Sequence, residues 1–598
     1  MEHEPVVMLR GLSFAYDRDV PALRNIDLEV HLGDFVAVLG ANGAGKSTLC
    51  YILTGTIPHI YGGRRTGEVL VDGADPWEQP MYETARGCSM VLQDPEAQLF
   101  MPDLFMEMAF GPANLGLEKE EIKRRVQDVM EIVGLRGMER RKPRALSGGQ
   151  KQRAALGSVL TMFPRLLVLD EPTSQLDPLG SAEVVRALES IRRTVQLTIV
   201  MTTHKTEEIV GLANRAVVLN QGTVEACGSL DEVLGNVSML ERVGVQPPPL
   251  RKFYYFLRDK PGSGVDEYLP DQPCSQLTIP GVARSVNNLL DKGVLRANPV
   301  LAPPHILTSN GGLLLEVENV TYYYPGEPPV KALDRVNLEV RKGEFVGIVG
   351  QNGSGKSTLV KAIVGLLRPS EGTIRFHGED ISALSVGEIA TRIGLVLQNP
   401  DYQLFTISAE EEVRFGLRNI NLSEEETRRR TQDVLRLTGL EAASDTFPFK
   451  LSFGDRRKLA VAAVLAIGPE VLIMDEPTTA QDHRGRYLLA DIARELRERG
   501  GQTILMISHD MELLAQYADR LVVMYNGGVL LDGPAREVFF RTKELQKTYL
   551  VPPVGCALAS QLTGLGDSSG ILTVDELLQA LELTTGIVEG DRIDADRL

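Results

Sequence analysis

Residues 35–48 read "FVAVLGANGAGKST", and this stretch decides the fold. Phe35–Gly40 is a short, wholly apolar run, as a strand buried on both faces should be. Gly40, Asn42, Gly43 and Gly45 then lead into Lys46, Ser47 and Thr48, and "TLCYILTG" continues as a helix. Glycines let successive backbone N–H groups wrap around phosphate, and the helix N-terminus adds its positive dipole. In that setting Lys46 reaches the β- and γ-phosphates and the Ser47 hydroxyl binds Mg²⁺.

The stretch occurs twice. "GQNGSGKST" at 350–358 supplies Gly350, Asn352, Gly353, Gly355, Lys356, Ser357 and Thr358 for the same roles. "ALRNIDLEV" at 22–30 returns as "ALDRVNLEV" at 332–340, and "VLQDPEAQLF" at 91–100 as "VLQNPDYQLF" at 396–405. "LDEPTS" from Leu169 returns as "MDEPTT" from Met474. Lys356 lies 310 positions after Lys46, whereas Gln398, Ser452, Glu476 and His509 each lie 305 after Gln93, Ser147, Glu171 and His204. The second copy is five residues shorter between its phosphate loop and its glutamine, and otherwise in register. This is duplication of a domain of roughly 240 residues, not a short-period solenoid.

Two further motifs carry chemistry. "LLVLDE" (166–171) and "VLIMDE" (471–476) are apolar strands ending in paired carboxylates. The first of each pair, Asp170 or Asp475, is expected to hold Mg²⁺, and the second, Glu171 or Glu476, to act as general base on the attacking water. Gln93 and Gln398 follow strands, and a glutamine ligates Mg²⁺ or orients water without adding charge. His204 and His509 end later strands and are expected at the γ-phosphate. Tyr16 and Tyr324 are placed before the first strand pair, where a ring can stack on adenine. "LSGGQKQR" (146–153) opens a helix with Ser147, Gly148, Gly149 and Gln150, a second anion nest in a domain that already has a phosphate loop. Its repeat, "LSFGDRRK" (451–458), keeps Ser452 and Gly454 but carries Phe453 and Asp455.

Composition narrows the class. Of 598 residues, 43% are hydrophobic and 24% charged, ordinary for a globular chain, and no run is apolar and long enough to span a membrane. The start "MEHEPVVMLR" lacks the basic opening and apolar run of a secretory signal. Five scattered cysteines form no CxxC pair, which argues against zinc, an iron–sulfur cluster or a disulfide framework. A net charge of −17 speaks against a large nucleic-acid footprint, so no nucleic-acid partner is expected. Residues 246–312 hold ten prolines and read partly as linker. "VQPPPLRKFYYFLRD" from Val245 is similar to "LVPPVGCALASQL" from Leu550, and "LTIPGVARSVNNLL" from Leu277 to "LTVDELLQALEL" from Leu572. Each copy therefore carries a tail of a proline turn, a helix and a Thr-capped helix, either a flap on its parent domain or a dimer-stabilising element.

The full set of motifs resembles the ATP-binding cassette (ABC) family across both copies. The resemblance implies an α/β chain with two tandem P-loop ATPase domains, each a RecA-like core with an antiparallel β subdomain and a helical signature subdomain, plus small C-terminal tails. The expected segments are 1–244 and 313–548 for the two domains, 245–312 for the first tail and linker, and 549–598 for the second tail. In the family two cassettes pair head to tail, within one chain or between two, and each ATP lies between one phosphate loop and the other cassette's signature. Lys46, Ser47, Gln93, Asp170, Glu171 and His204 would then face Ser452 and Gly454. Lys356, Ser357, Gln398, Asp475, Glu476 and His509 would face Ser147, Gly148 and Gly149. The segment "Q-x-P-x-x-Q-L-F" is similar to that of energy-coupling-factor importers. This implies ATP and Mg²⁺ as cofactors, a transmembrane coupling subunit and a small substrate-binding membrane subunit as partners, and a peripheral place on the cytoplasmic face of the membrane. A vitamin or a transition metal such as cobalt or nickel would be the cargo. Leu99, Phe100, Leu404 and Phe405 would receive helices of the coupling subunit. The rival readings are a twin cassette acting on ribosomes or DNA and the fused ATPase of a sugar importer.

Three departures, all in the second copy, concern hydrolysis. Asp455 would set a carboxylate near a polyphosphate, a repulsion of roughly 2 kcal/mol or about thirtyfold at an effective dielectric near 20. Phe453 lacks glycine's freedom at positive φ and would deform the turn. "TAQDHRG" at 479–485 also replaces the "QLDP" type of loop. The site on Lys356 and Glu476 is accordingly expected to be the faster one.

Overall fold

A computed structural model describes residues 5–16, 20–195, 197–258, 265, 269, 272–297, 311–420, 422–479, 481–565 and 570–583. The chain forms two compact units, residues 1–252 with 272–277 and residues 253–271 with 278–598.

In the first unit, β1 (Val7–Ala15), β2 (Pro21–Val30) and β4 (Arg64–Val71) make an antiparallel sheet in the order β2-β1-β4. The second sheet has six strands: β3 (Phe35–Leu39), β5 (Cys88–Val91), β6 (Leu166–Asp170), β7 (Thr198–Thr202), β8 (Arg215–Asn220) and β9 (Thr223–Ser229). Their order is β5-β6-β7-β3-β8-β9, parallel except for β9. Every residue of β3, β6 and β7 is buried. Alternate side chains feed opposite cores. Phe35, Ala37 and Leu39 face the signature helix Gly148–Leu160 and its neighbours, while Val36 and Val38 face the phosphate-loop helix Lys46–Leu53 and the antiparallel sheet. Two-sided burial explains why these strands read as unbroken apolar runs.

The second unit repeats the plan. β11 (Leu313–Tyr324), β12 (Val330–Arg341), β14 (Glu371–Phe376) and β15 (Glu379–Asp380) form the antiparallel sheet, in the order β12-β11-β14-β15. β13 (Phe345–Val349), β16 (Ile393–Val396), β17 (Val471–Asp475), β18 (Thr503–Ile507), β19 (Arg520–Tyr525) and β20 (Gly528–Pro534) form the main sheet in the order β16-β17-β18-β13-β19-β20. The strand order matches that of the first unit position for position.

The first tail, expected over 245–312, holds the helices Pro249–Arg258 and Ile279–Asp291 and the short strand Leu295–Ala297. The unit boundary falls inside the helix Pro249–Arg258, whose Phe253, Tyr254 and Leu257 are buried. Thr278 accepts a hydrogen bond from Gly281 N and opens the helix Ile279–Asp291, which buries Val282, Ala283, Val286 and Leu289 as one stripe. That helix packs against Val554–Ala559 of the second tail. Asn287 donates to Gln561 O at 3.0 Å and accepts from Thr563 N at 3.0 Å. β10 (Leu295–Ala297) pairs antiparallel with β21 (Leu581–Leu583). The first tail's second helix is thus grouped with the second tail, in the second unit. The linker residues 298–310 lie outside the described residues.

Candidate functional site

Each phosphate loop leaves its central strand through glycines that no other residue replaces. Gly40 (φ 152°) and Gly350 (φ 147°) lie so close to the carbonyls of Leu219 and Met524 that a Cβ would come within 2.4 and 2.3 Å of them. Lys46 and Lys356 are buried, and each folds back onto its loop. Lys46 Nζ donates to Gly40 O (2.9 Å) and Ala41 O (3.1 Å), and Lys356 Nζ to Gly350 O (2.6 Å) and Gln351 O (2.9 Å). These are positions from which an ammonium can exchange carbonyl oxygens for phosphate oxygens. Thr48 and Thr358 hold the hydroxyls of Tyr16 (3.1 Å) and Tyr324 (3.3 Å). The two tyrosines close the first strand of each domain instead of preceding it, because the strand's alternation runs on to Ala15 and Tyr324. Their rings sit edge-on to Phe14 and Tyr322, and Tyr16 stays 43% exposed.

The carboxylate strands deliver Asp170 and Asp475 next to the loop serines. Asp170 Oδ1 accepts from Ser47 Oγ at 3.2 Å and from Thr202 Oγ1 at 2.7 Å. Burial raises the Asp170 pKa, with the Glu171 charge adding to it and these two hydrogen bonds opposing. Asp475 is raised for the same first reason, opposed by its hydrogen bond with Ser357. Ile507 stands where the first copy has Thr202, and Asp475 Oδ1 is buried with no hydrogen-bond partner among the described residues. A buried carboxylate oxygen without a partner beside a serine hydroxyl fits a hard divalent cation such as Mg²⁺. Among the described residues no three His, Cys, Asp or Glu side chains cluster as a metal site. One carboxylate and one serine hydroxyl in each site suit an ion that arrives with phosphate oxygens of its own.

Glu171 and Glu476 adopt φ 47° and 49°, a left-handed conformation uncommon outside glycine and held identically in both copies. Glu171 Oε1 lies 3.1 Å from His204 Nδ1 and 3.6 Å from Lys46 Nζ, and Oε2 accepts from Gln93 Nε2 at 3.2 Å. Burial pushes its pKa up, but the His204 and Lys46 charges outweigh this and hold it below the ordinary value. In the second copy Glu476 Oε1 lies 3.0 Å from His509 Nε2. His204 Nε2 and His509 Nδ1 are buried without a hydrogen-bond partner among the described residues. Gln93, Asp170, Glu171 and His204 thus converge on Lys46 and Ser47. Asp475, Glu476 and His509 converge likewise, whereas Gln398 remains exposed.

The signatures differ in a way the letters alone misstate. Ser147 accepts from Gln150 N at 3.3 Å while Gln150 Oε1 accepts from Ser147 N at 3.1 Å, a capping box that leaves the hydroxyl proton available. Asp455 instead accepts the Ser452 hydroxyl proton at 2.8 Å and pairs with Lys458 Nζ at 2.8 Å. Burial raises the Asp455 pKa, and Lys458 and Ser452 bring it below the ordinary value. The expected repulsion from a bare carboxylate is corrected: the charge is already paired, and its effect is to occupy Ser452. The expected turn deformation is corrected as well. Gly148 and Phe453 are the first residues of their helices, where φ is negative and any side chain fits. In the altered 479–485 loop, Asp482 still caps its helix through Gly485 N at 2.8 Å, as Asp177 does through Gly180 N.

Sequence reasoning passed over four residues. The second glutamine of each Gln segment is its inner brace: Gln98 Oε1 accepts from Leu92 N (3.1 Å) and Gln403 Oε1 from Leu397 N (3.2 Å). Buried Glu107 accepts from Phe100 N (2.9 Å) and Met101 N (2.8 Å), and buried Glu412 from Phe405 N (3.0 Å) and Thr406 N (2.8 Å). A glutamate seven positions after the phenylalanine in both copies was the available signal. Held this way, Phe100 and Phe405 are 65% and 62% exposed, each edge-on to a second aromatic, Phe110 or Phe415. Leu404 is buried and Leu99 packs on the core, so these two serve the fold and not a docking face.

The sequence profile described as ABC transporter matches residues 23–174 and 333–479. A "Putative ABC transporter ATP-binding protein" of Methanosarcina acetivorans is 37% identical over 588 residues, covering 97% of this chain and 94% of its own. One of the same description from Caldanaerobacter subterraneus subsp. tengcongensis is 36% identical over 578 residues, covering 96% of this chain and 98% of its own. Among solved structures, cbiO1 from Clostridium perfringens, part of the ABC transporter complex cbiONQ, is 37% identical where matched. That match covers 40% of this chain and 95% of that one, with a TM-score of 0.36. With its motifs gathered into two phosphate sites and its whole length aligned to ABC proteins, the chain belongs to the ABC transporter family, as an ATP-binding protein whose two ATPase domains couple ATP hydrolysis to transport.

Proposed function

We propose that this chain is the fused ATPase of an energy-coupling-factor importer, seated on the cytoplasmic face of the membrane and driving uptake of a vitamin or a transition metal ion such as cobalt or nickel. The observation that carries the reading is the duplicated Gln segment with its exposed aromatic pair, Phe100 with Phe110 and Phe405 with Phe415. Exposed paired aromatics braced from below by a buried carboxylate suit an apolar helix of a transmembrane coupling subunit. A small substrate-binding membrane subunit would complete the assembly.

The cassettes pair head to tail, and each ATP is held by one phosphate loop and the other cassette's signature. Lys46 or Lys356 leaves its loop carbonyls for the β- and γ-phosphates. Ser47, Gln93 and Asp170, or Ser357, Gln398 and Asp475, would hold Mg²⁺, which supplies charge neutralisation on the phosphates. Glu171 or Glu476 accepts a proton from water as its oxygen attacks the γ-phosphorus, and ADP leaves. His204 or His509 presents its unpartnered ring nitrogen to a γ-oxygen, and Tyr16 or Tyr324 stacks its ring on adenine. The double substitution Phe100→Ser and Phe405→Ser should abolish co-purification with the membrane subunits and leave ATP binding by the chain within about twofold, since exposed side chains contribute little to stability. Intact assembly and transport in that variant would refute the placement.

A further inference from the structure

The altered signature carries a second change that hydrolysis alone does not explain. Gly148 and Gln152 of the first copy become Phe453 and Arg457 in the second, one helical turn apart on the same face. Arg457 is among the largest fully buried side chains, at 1% exposure. Its Nη1 donates to Pro477 O (2.6 Å) and Thr479 O (2.5 Å), and its Nη2 to Gln398 O (2.5 Å). The Phe453 ring lies 5.1 Å from the guanidinium and covers it. Among the described residues no carboxylate lies within ion-pair distance of Arg457, so backbone carbonyls hold the buried charge. Burial lowers its pKa to about 10, opposed by the Glu476 charge, so the cation persists at neutral pH.

The three carbonyls belong to two loops of the catalytic core. Gln398 follows β16, and Pro477 and Thr479 follow Glu476 at the end of β17. Arg457 sits on the signature helix Phe453–Ile467 of the helical subdomain. In the first copy the equivalent link is a single long bond, Gln152 Nε2 to Leu92 O at 3.3 Å. There the buried arginine is one position later, and Arg153 turns instead to Val133 O and Gly134 O in the helical subdomain and to Glu183 on the core helix Pro178–Thr194. One position along a helix is about 100° of rotation, so the guanidinium reaches a different partner set.

We infer that Phe453 and Arg457 form a latch that ties the second cassette's signature helix to its own Gln loop and to the loop after Glu476, with Arg457 as a positioning residue for Gln398 and Glu476. The altered signature thus serves the catalytic site of its own cassette, besides whatever it presents to the other. Charge-assisted bonds to buried carbonyls are the strong class, and three of them fix both loops against the helix. In the first cassette the signature helix is tied differently, by the long Gln152 bond and the Lys151–Glu96 pair to the Gln segment and by Arg153 to Glu183, with no bond of this kind to the loop after Glu171 among the described residues.

The latch rests on the proposed roles of Glu476 and Gln398, and the test separates the two. In the full chain carrying Glu171→Gln, the further change Arg457→Gln should lower kcat for ATP at least tenfold with KM within twofold, and Arg457→Lys should fall between. The scale follows from the roughly hundredfold that a misplaced catalytic group costs. Adding Glu476→Gln to the same background should abolish turnover; if it does not, the site assignment fails. Spin labels at Glu425→Cys on the helical subdomain and Glu498→Cys on the core, with Cys227→Ser, read the latch directly. Arg457→Gln should broaden the nucleotide-free distance distribution while Arg457→Lys keeps it narrower. An unchanged distribution, or an unchanged kcat where Glu476→Gln is dead, overturns the latch.

Discussion

Ser452 and Ser147 share the same letter but differ in one hydrogen bond. Both hydroxyls accept from the third residue of their helix, and that of Ser452 also donates, to Asp455. A γ-phosphate oxygen offers lone pairs, so a serine whose proton is already taken by a carboxylate has nothing to give it. Asp455→Gln should therefore restore the capping box and free the proton. ATPase assays in a Glu476→Gln background, which report the first cassette's site, should rise several-fold, up to the factor of about thirty that a charge-assisted bond can represent. No rise would mean that Ser452 is not the group limiting that site. The substitution was visible in the sequence. Its consequence was not, because the carboxylate's partner, Lys458, is fixed by helix geometry and not by the motif. The same holds for Glu171 and Glu476. Their left-handed backbone belongs to the turn after a buried strand, and nothing in "DEP" announces it.

At the scale of elements, both phosphate loops, the carboxylate strands and the Thr-capped tail helices were legible, because each is specified locally by periodicity, glycine and caps. The Gln segment was legible only at its surface. Leu99 and Leu404 look as exposed on paper as Phe100 and Phe405, yet the turn places leucine inward and phenylalanine outward. The anchors that decide this, Glu107 and Glu412, are seven residues away on the following helix. Each accepts two backbone N–H groups while buried, bonds of the charge-assisted kind. Glu107→Ala should cost roughly 1.5–3 kcal/mol of stability in urea unfolding and open the 99–103 turn to proteolysis, while Glu107→Gln should keep most of both. A silent Glu107→Ala would show that the turn holds itself.

At the scale of the molecule, the duplication set the number of domains, but the tails' pairing could not be read from either copy alone. It depends on two apolar stripes some 280 residues apart finding one another, as the Asn287 contacts with Gln561 and Thr563 show at separations of 274 and 276. Arg296 and Glu582 are register partners in the β10–β21 pair. Cysteines at these two positions should oxidise to a disulfide within one chain, since such partners lie about 4.5–5.5 Å apart. Non-reducing electrophoresis should then show a faster monomer band, and a cross-linked dimer would assign the pairing to two chains. In the proposed motor the two sites are unequal, with the intact signature completing the site of Lys356 and Glu476. Glu171→Gln and Glu476→Gln, compared by ATP turnover of the assembled transporter, test it most directly. Glu476→Gln should remove most of the activity and Glu171→Gln the lesser part; equal losses would contradict the asymmetry.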